Sequence, residues 1–225
     1  YEINNTNFNI YKALSYILVI NYSKIINEWR IINEWIINIP SSIKSIGEKS
    51  FMNCSNLKNC KFDDSLCLES IGDFAFKNCS SLKSFKIDKN CTKIGRSIFM
   101  NCTNMNTILI KRENHLIIPY HSFYNCTSLK TFKLIHDHYI KYIDIGYESF
   151  MNCSSLEEFI IDDSPSTKEN DENGQYNRKQ MIKSRAFFKC KSLKYVHIFN
   201  GRIDKINDDA FSNCYSVEKV EINSK

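Results

Sequence analysis

The chain has 225 residues, 43% of them hydrophobic, and a formal charge of +5, enough material for one large domain or two small ones. The charge is spread along the sequence, so the clustered basic face of a nucleic-acid binder is not expected. No apolar run approaches the roughly 20 residues that span a bilayer, and six Gly with three Pro are sparse for the many tight turns of a β-sandwich.

Residues 1–36 stand apart. Ile25, Trp29, Ile32 and Ile36 recur at helical spacing and predict an amphipathic cap helix or a partial repeat. Trp35 to Ile39 resembles a strand, since Ile39 precedes Phe51 by the same twelve residues that separate Ile87 from Phe99. The chain opens on Tyr1 and stops directly after a strand-like segment. Both ends suggest a piece of a longer array, because a solenoid normally needs a polar cap on its last repeat.

From residue 37 to 225 one unit recurs. Aligning on Phe-x-x-Cys gives Phe51/Cys54, Phe76/Cys79, Phe99/Cys102, Phe123/Cys126, Phe150/Cys153, Phe187/Cys190 and Phe211/Cys214. Successive Cys are 25, 23, 24, 27, 37 and 24 residues apart. An Ile always stands five residues before the Phe. Three residues after the Cys comes Leu57, Leu82, Met105, Leu129, Leu156, Leu193 or Val217. The unit ends in L-x-x-F-x-I, whose alternation and aromatic or β-branched residues predict one short strand. The part before the Cys is too short for a helix and predicts a turn or a 3₁₀ piece. Such a unit cannot bury its own apolar face, so neighbours must stack with their strands parallel. Phe51, Cys54 and Leu57, and their counterparts in every later unit, are the expected core.

The pattern is clearest at Leu68–Ile87, and there the chain resembles the BspA-type leucine-rich repeat. The resemblance covers about Ile37 to Ile222. It implies a right-handed leucine-rich-repeat solenoid or horseshoe. It also implies a non-catalytic, adhesin-like role at the cell surface or in secreted form, with host or matrix proteins as partners. The alternative is a cytoplasmic scaffold that uses the same surface for protein–protein interaction.

Ten Cys invite a zinc or disulfide reading, yet seven share one repeat position, and Cys60 and Cys91 replace core Phe or Ile. These nine read as small core hydrophobes; only Cys67 falls outside the scheme. No CxxC pair exists, so no structural metal is expected. Stacked Cys would lie within disulfide reach, and bridging stays open. Asn53, Asn78, Asn101, Asn125 and Asn152 head N-C-[ST] sequons, with Asn90 a sixth. Beside a core Cys they read as turn-forming residues in a ladder rather than glycan acceptors; Asn4 and Asn21 suit a glycan better. Gly47, Gly72, Gly95 and Gly146 suggest a positive φ at the turn, although Pro119 occupies the same column.

Catalysis finds little support and no cofactor is expected. His136 and His138 would share a face of an extended segment but read as solvated. Recognition is expected on the outward strand column, Lys61, Lys86, Leu109, Lys133, Ile160, His197 and Glu221. Tyr195 stands in the flanking column with Asn59, Ser84, Thr107, Thr131, Glu158 and Lys219. The polar stretch 162–180 has no periodicity and predicts a flexible insertion.

Overall fold

The computed structural model describes residues 35–39, 43–62, 68–112, 115–136, 142–161, 181–198 and 203–222. The proposed cap helix before Trp35, the insertion 162–180, Cys67 and His138 lie outside the described residues. Strands β1 (Trp35–Ile39), β3 (Leu57–Phe62), β5 (Ser84–Ile87), β7 (Thr107–Arg112), β9 (Thr131–His136), β11 (Glu158–Ile161), β13 (Tyr195–Ile198) and β15 (Lys219–Ile222) form one eight-stranded sheet. They lie in sequence order and every pairing is parallel. A winding chain produces this order because each turn returns the next strand beside the last.

A second ladder runs along the Ile column, which sequence periodicity had not marked as strand. β2 (Ser45–Ile46), β4 (Ser70–Ile71) and β6 (Lys93–Ile94) make a three-stranded sheet. β8 (His115–Ile118), β10 (Tyr142–Ile145), β12 (Met181–Ile182) and β14 (Lys205–Ile206) make a four-stranded one. The residue after each Ile normally donates its N–H to the preceding Ile carbonyl. Gly72 gives to Ile46, Gly95 to Ile71, Gly146 to Ile118 and Lys183 to Ile145, at 2.8–2.9 Å. Pro119 holds this position in the fourth unit and has no N–H. The ladder breaks there, between β6 and β8.

The turns carry a third ladder. Lys49, Phe51 and Asn53 donate N–H to the carbonyls of Asp73, Ala75 and Lys77 in the next unit, at 2.8–2.9 Å. Two residues per turn take positive φ, at the Lys49 position and at the Asn53 position. With these two positions four residues apart, the N–H groups of every second residue across the turn reach the same neighbour. Asn tolerates φ near 60° better than most side chains, which accounts for Asn53, Asn78, Asn101, Asn125, Asn152 and Asn213. The structure is a turn at this place, without 3₁₀ helix.

The glycines do not serve as expected. None of Gly47, Gly72, Gly95 and Gly146 has a positive φ. A Cβ on Gly72 would lie 2.5 Å from the Glu48 nitrogen, and one on Gly95 would lie 2.4 Å from the Asp73 nitrogen. The missing side chain lets one unit's backbone pass against the previous unit's turn. Position, not handedness, selects Gly here.

Between the ladders the core is a stack. Rings of Phe51, Phe76, Phe99, Phe123, Phe150, Phe187 and Phe211 follow one another at 5.0–5.6 Å and nearly parallel. Phe85, Phe132 and Phe159 on the strands lean between them. Leu57, Leu82, Met105, Leu129, Leu156 and Leu193 are fully buried, while Phe211, Cys214 and Val217 in the last unit are partly so.

Candidate recognition face

Sequence alone leaves a chemical role open for the cysteines and the sequon asparagines. The nine described cysteines are free thiols. Cys79, Cys102, Cys126, Cys153, Cys190 and Cys214 donate to the carbonyl of the Phe one unit earlier, at 3.0–3.2 Å. A small buried side chain with one weak donor fits this place. Burial pushes the Cys153 thiol up to about 12, and Cys79, Cys102 and Cys126 are also raised, chiefly by desolvation. Cys214 differs. The Cys190 thiol beside it favours its thiolate and lowers its pKa, and it is only partly buried. Brief alkylation of the native protein with iodoacetamide is therefore expected to label Cys214 first among the described cysteines. Labelling of Cys126 or Cys153 at a comparable rate in peptide mass maps would contradict the buried ladder.

The sequon asparagines form a chain of side-chain amides. The Nδ2 of Asn78 donates to Asn53 Oδ1 at 2.7 Å, Asn101 to Asn78 at 2.8 Å, Asn125 to Asn101 at 3.0 Å and Asn152 to Asn125 at 2.6 Å. Each of these nitrogens is part-buried and points at a neighbouring amide, not at solvent where a glycan would leave. Asn125→Ala removes two of these bonds and puts Ala at φ 59°. A loss of about 1–3 kcal/mol follows from the orphaned amides alone. Asn125→Gly keeps the backbone conformation, so chemical denaturation should find it less damaging than Asn125→Ala; the reverse order would refute the left-handed requirement.

The large sheet's outward face is built by register. Lys86 pairs with Leu109, Leu109 with Lys133, Lys133 with Ile160, Ile160 with His197 and His197 with Glu221. Lys61 stands two residues beyond Asn59, which pairs with Ser84. Ser84, Thr107, Thr131, Glu158, Tyr195 and Lys219 are aligned beside that column. Side chains alternate along a strand, so this register puts all seven expected recognition residues on one surface. Lys61 and Lys133 are exposed; Lys86, Leu109, Ile160, Tyr195 and His197 are half-buried. Ile36, 48% exposed and paired with Asn59, extends the flanking column to β1. In sequence the face begins at β3, and Ile36 belongs both to the cap spacing and to the strand-like segment Trp35 to Ile39.

Electrostatics divide this surface. On its later half, His197 Nδ1 lies 2.8 Å from Glu221 Oε2, Lys219 Nζ lies 2.5 Å from the other Glu221 oxygen, and the Tyr195 hydroxyl donates to Glu218 at 2.7 Å. The Tyr195 pKa is raised by that bond and by the carboxylate charge. On the earlier half, Lys86 meets Asp88 at 3.2 Å. Partial burial alone would raise the Asp88 carboxyl, but the Lys89 N–H and the Lys86 and Lys111 charges hold it below its ordinary value. His136 ends β9 opposite Arg112. Among the described residues no three His, Cys, Asp or Glu converge to hold a metal.

A concavity of about 890 Å³ opens on the small three-stranded sheet where the Pro119 break begins. Ser45, Ser70, Gly72, Thr92, Lys93 and His115 are among its lining residues. Its lining combines hydroxyls with Lys89, Lys93 and His115 and includes no carboxylate.

The sequence profile of the BspA type leucine rich repeat region matches residues 28–157 and 175–225, in six copies. No curated protein matches the chain. Solved leucine-rich-repeat structures resemble it. A leucine-rich repeat protein from Eubacterium ventriosum has 22% identity and a TM-score of 0.60, over 84% of this chain and 44% of its own. One from Bacteroides ovatus has 27% identity and a TM-score of 0.53, over 80% of this chain and 47% of its own. The chain thus spans less than half the length of either.

Proposed function

The chain belongs to the family of BspA-type leucine-rich repeats, and from that premise we propose that it is a non-catalytic module that binds protein partners on the outward face of the large sheet. The observation that carries this is the unbroken register from β5 to β15, which turns separate strand residues into one continuous surface. Repeat proteins use such faces because a rigid stack presents many side chains with little ordering entropy left to lose. Half-buried Leu109 and Ile160 are suited to anchor a partner, and polar residues on either side form a rim. The finer reading is an adhesin-like protein of the cell surface or secreted, with matrix proteins as ligands. It rests on the family resemblance.

Binding of the purified chain to a panel of purified extracellular-matrix proteins tests this. At least one interaction is expected, and Leu109→Gln/Ile160→Gln is expected to weaken it tenfold or more. Lys49→Gln/Arg96→Gln, on the turn side, should leave it unchanged. Loss confined to the turn-side variant would overturn the assignment of the face. One observation favours a second location for the same activity, a cytoplasmic scaffold: the nine described cysteines are free. Protease treatment of intact cells separates the two, since only a surface protein is digested.

A further inference from the structure

The recognition face is bipolar. Across the first four units after β1, Lys61, Lys86 and Lys133 stand in the central column. Lys58, Lys83, Lys111 and Lys130 stand on the same strands or one residue before them; Asp88 follows β5 among the described residues, while Asp63, Glu113 and Asp137, which follow β3, β7 and β9 in sequence, lie outside them. Among the described residues Lys61, Lys83, Lys130 and Lys133 have no carboxylate within ion-pair distance. The last three units reverse the sign: Glu157, Glu158, Glu218 and Glu221 face Lys194 and Lys219. Some of these charges already neutralise one another, through Glu221 with Lys219 and through the long 3.9 Å contact of Lys194 with Glu157.

Resting on the reading of this face as a protein-binding surface, we propose that its partner presents an acidic polypeptide segment, which lies across β3, β5, β7 and β9 with apolar side chains against Leu109. The spacing fits an extended chain. Lys61 and Lys133 are three strands apart, about 14 Å at the usual strand separation, roughly the reach of four or five extended residues. The composition argues for carboxylates over phosphate or sulfate esters. The three cations of the central column, Lys61, Lys86 and Lys133, are lysines, compact point charges, whereas phosphate-rich polymers are typically gripped by the bidentate arginine fork. Leu109 and the neutral Ser84, Thr107 and Thr131 interrupt the charge, which suits a segment with mixed side chains better than a uniform polyanion. Unpaired lysines above a low-dielectric sheet also attract such a segment from a distance and raise its rate of association.

A fluorescent dodecapeptide repeating Glu-Leu-Glu-Ser is the probe, with its Lys-Leu-Lys-Ser counterpart and heparin as comparisons. At low salt the acidic peptide is expected to bind the native chain and the basic one not. Lys61→Glu/Lys86→Glu/Lys133→Glu should lower its affinity at least tenfold. Lys61→Gln/Lys86→Gln/Lys133→Gln should fall between, and Glu158→Lys/Glu221→Lys should bind at least as well as native. Raising salt should weaken the interaction steeply, as for any exposed charge pairing. Circular dichroism and thermal melting establish that each variant is folded. Equal affinity of the acidic peptide for the native and the triple-glutamate chains overturns the proposal, and so does binding of heparin without the peptide. The parent reading fails separately. If Leu109→Gln/Ile160→Gln abolishes matrix-protein binding while the lysine reversals do not, the face stands and the acidic partner falls. If neither set weakens it, the face itself is wrong.

Discussion

Phe150→Ala is expected to destabilise the protein by about 3–5 kcal/mol. Phe150 is 0% exposed. Its ring lies between those of Phe123 at 5.0 Å and Phe187 at 5.2 Å, and meets Phe132 and Phe159 edge-on at 5.2 and 5.3 Å. Removing it loses the transfer free energy of a ring, four aromatic contacts and the packing of two neighbouring units. A globular core can shrink around a hole; a stack held by three backbone ladders has little freedom to do so. Solenoid stability is the sum of unit and interface terms, so a defect in a middle unit weakens two interfaces. Urea denaturation should show a lower midpoint, and a second transition if the two sides uncouple. Phe211→Ala, at the partly buried last unit with one stacked partner, should cost distinctly less. Equal losses at the two positions would argue against the stack as the main source of stability.

Gly95→Ala is the second large effect, and its comparison is Gly47→Ala. The Cβ added at Gly95 would meet the Asp73 nitrogen at 2.4 Å and the Gly72 carbonyl carbon at 2.5 Å. These are backbone atoms of the adjoining turn, so relief requires moving one unit against the next. Overpacking of this kind typically costs about 1–3 kcal/mol, occasionally more, and it would strain the Gly95 to Ile71 hydrogen bond of 2.8 Å. At Gly47 the nearest atom is the Ser50 Oγ at 3.1 Å, a side chain. There the gain from a less flexible unfolded chain, about 0.4–1 kcal/mol, should roughly offset the contact. Thermal unfolding of the two variants distinguishes steric approach from handedness. Equal destabilisation would mean that Gly is required by backbone conformation at both sites.

The break at Pro119 shows how one residue edits a regular array. Every unit follows the same winding, and the turn ladder continues across this point, with Ser97, Phe99 and Asn101 donating to Tyr120, Ser122 and Tyr124 at 2.8–2.9 Å. Only the small sheet separates, because only there is a donor missing. In sequence Pro119 is an exception in a glycine column, and its consequence lies in the hydrogen bond it cannot make.

Repetition made most of the architecture legible in advance. Phe51, Cys54 and Leu57 recur at fixed offsets, and a unit of about 24 residues has no way to bury them except against its neighbours. Parallel strands in sequence order, buried Phe and Cys columns, and an outward column through Lys61, Leu109 and Ile160 follow from that one constraint. Other features depend on distances between units, which no single unit encodes. The Ile column's hydrogen-bonded ladder, the amide chain from Asn53 to Asn152 and the close approach at Gly72 and Gly95 exist only once neighbours are set side by side. The same holds for charge. The sequence by itself determined which residues face outward, since alternation along a strand is local. Only the tertiary structure decided that Glu221 is taken up by His197 and Lys219 while Lys61 and Lys133 face outward without a described acid, because ion pairing depends on what stacking brings within reach.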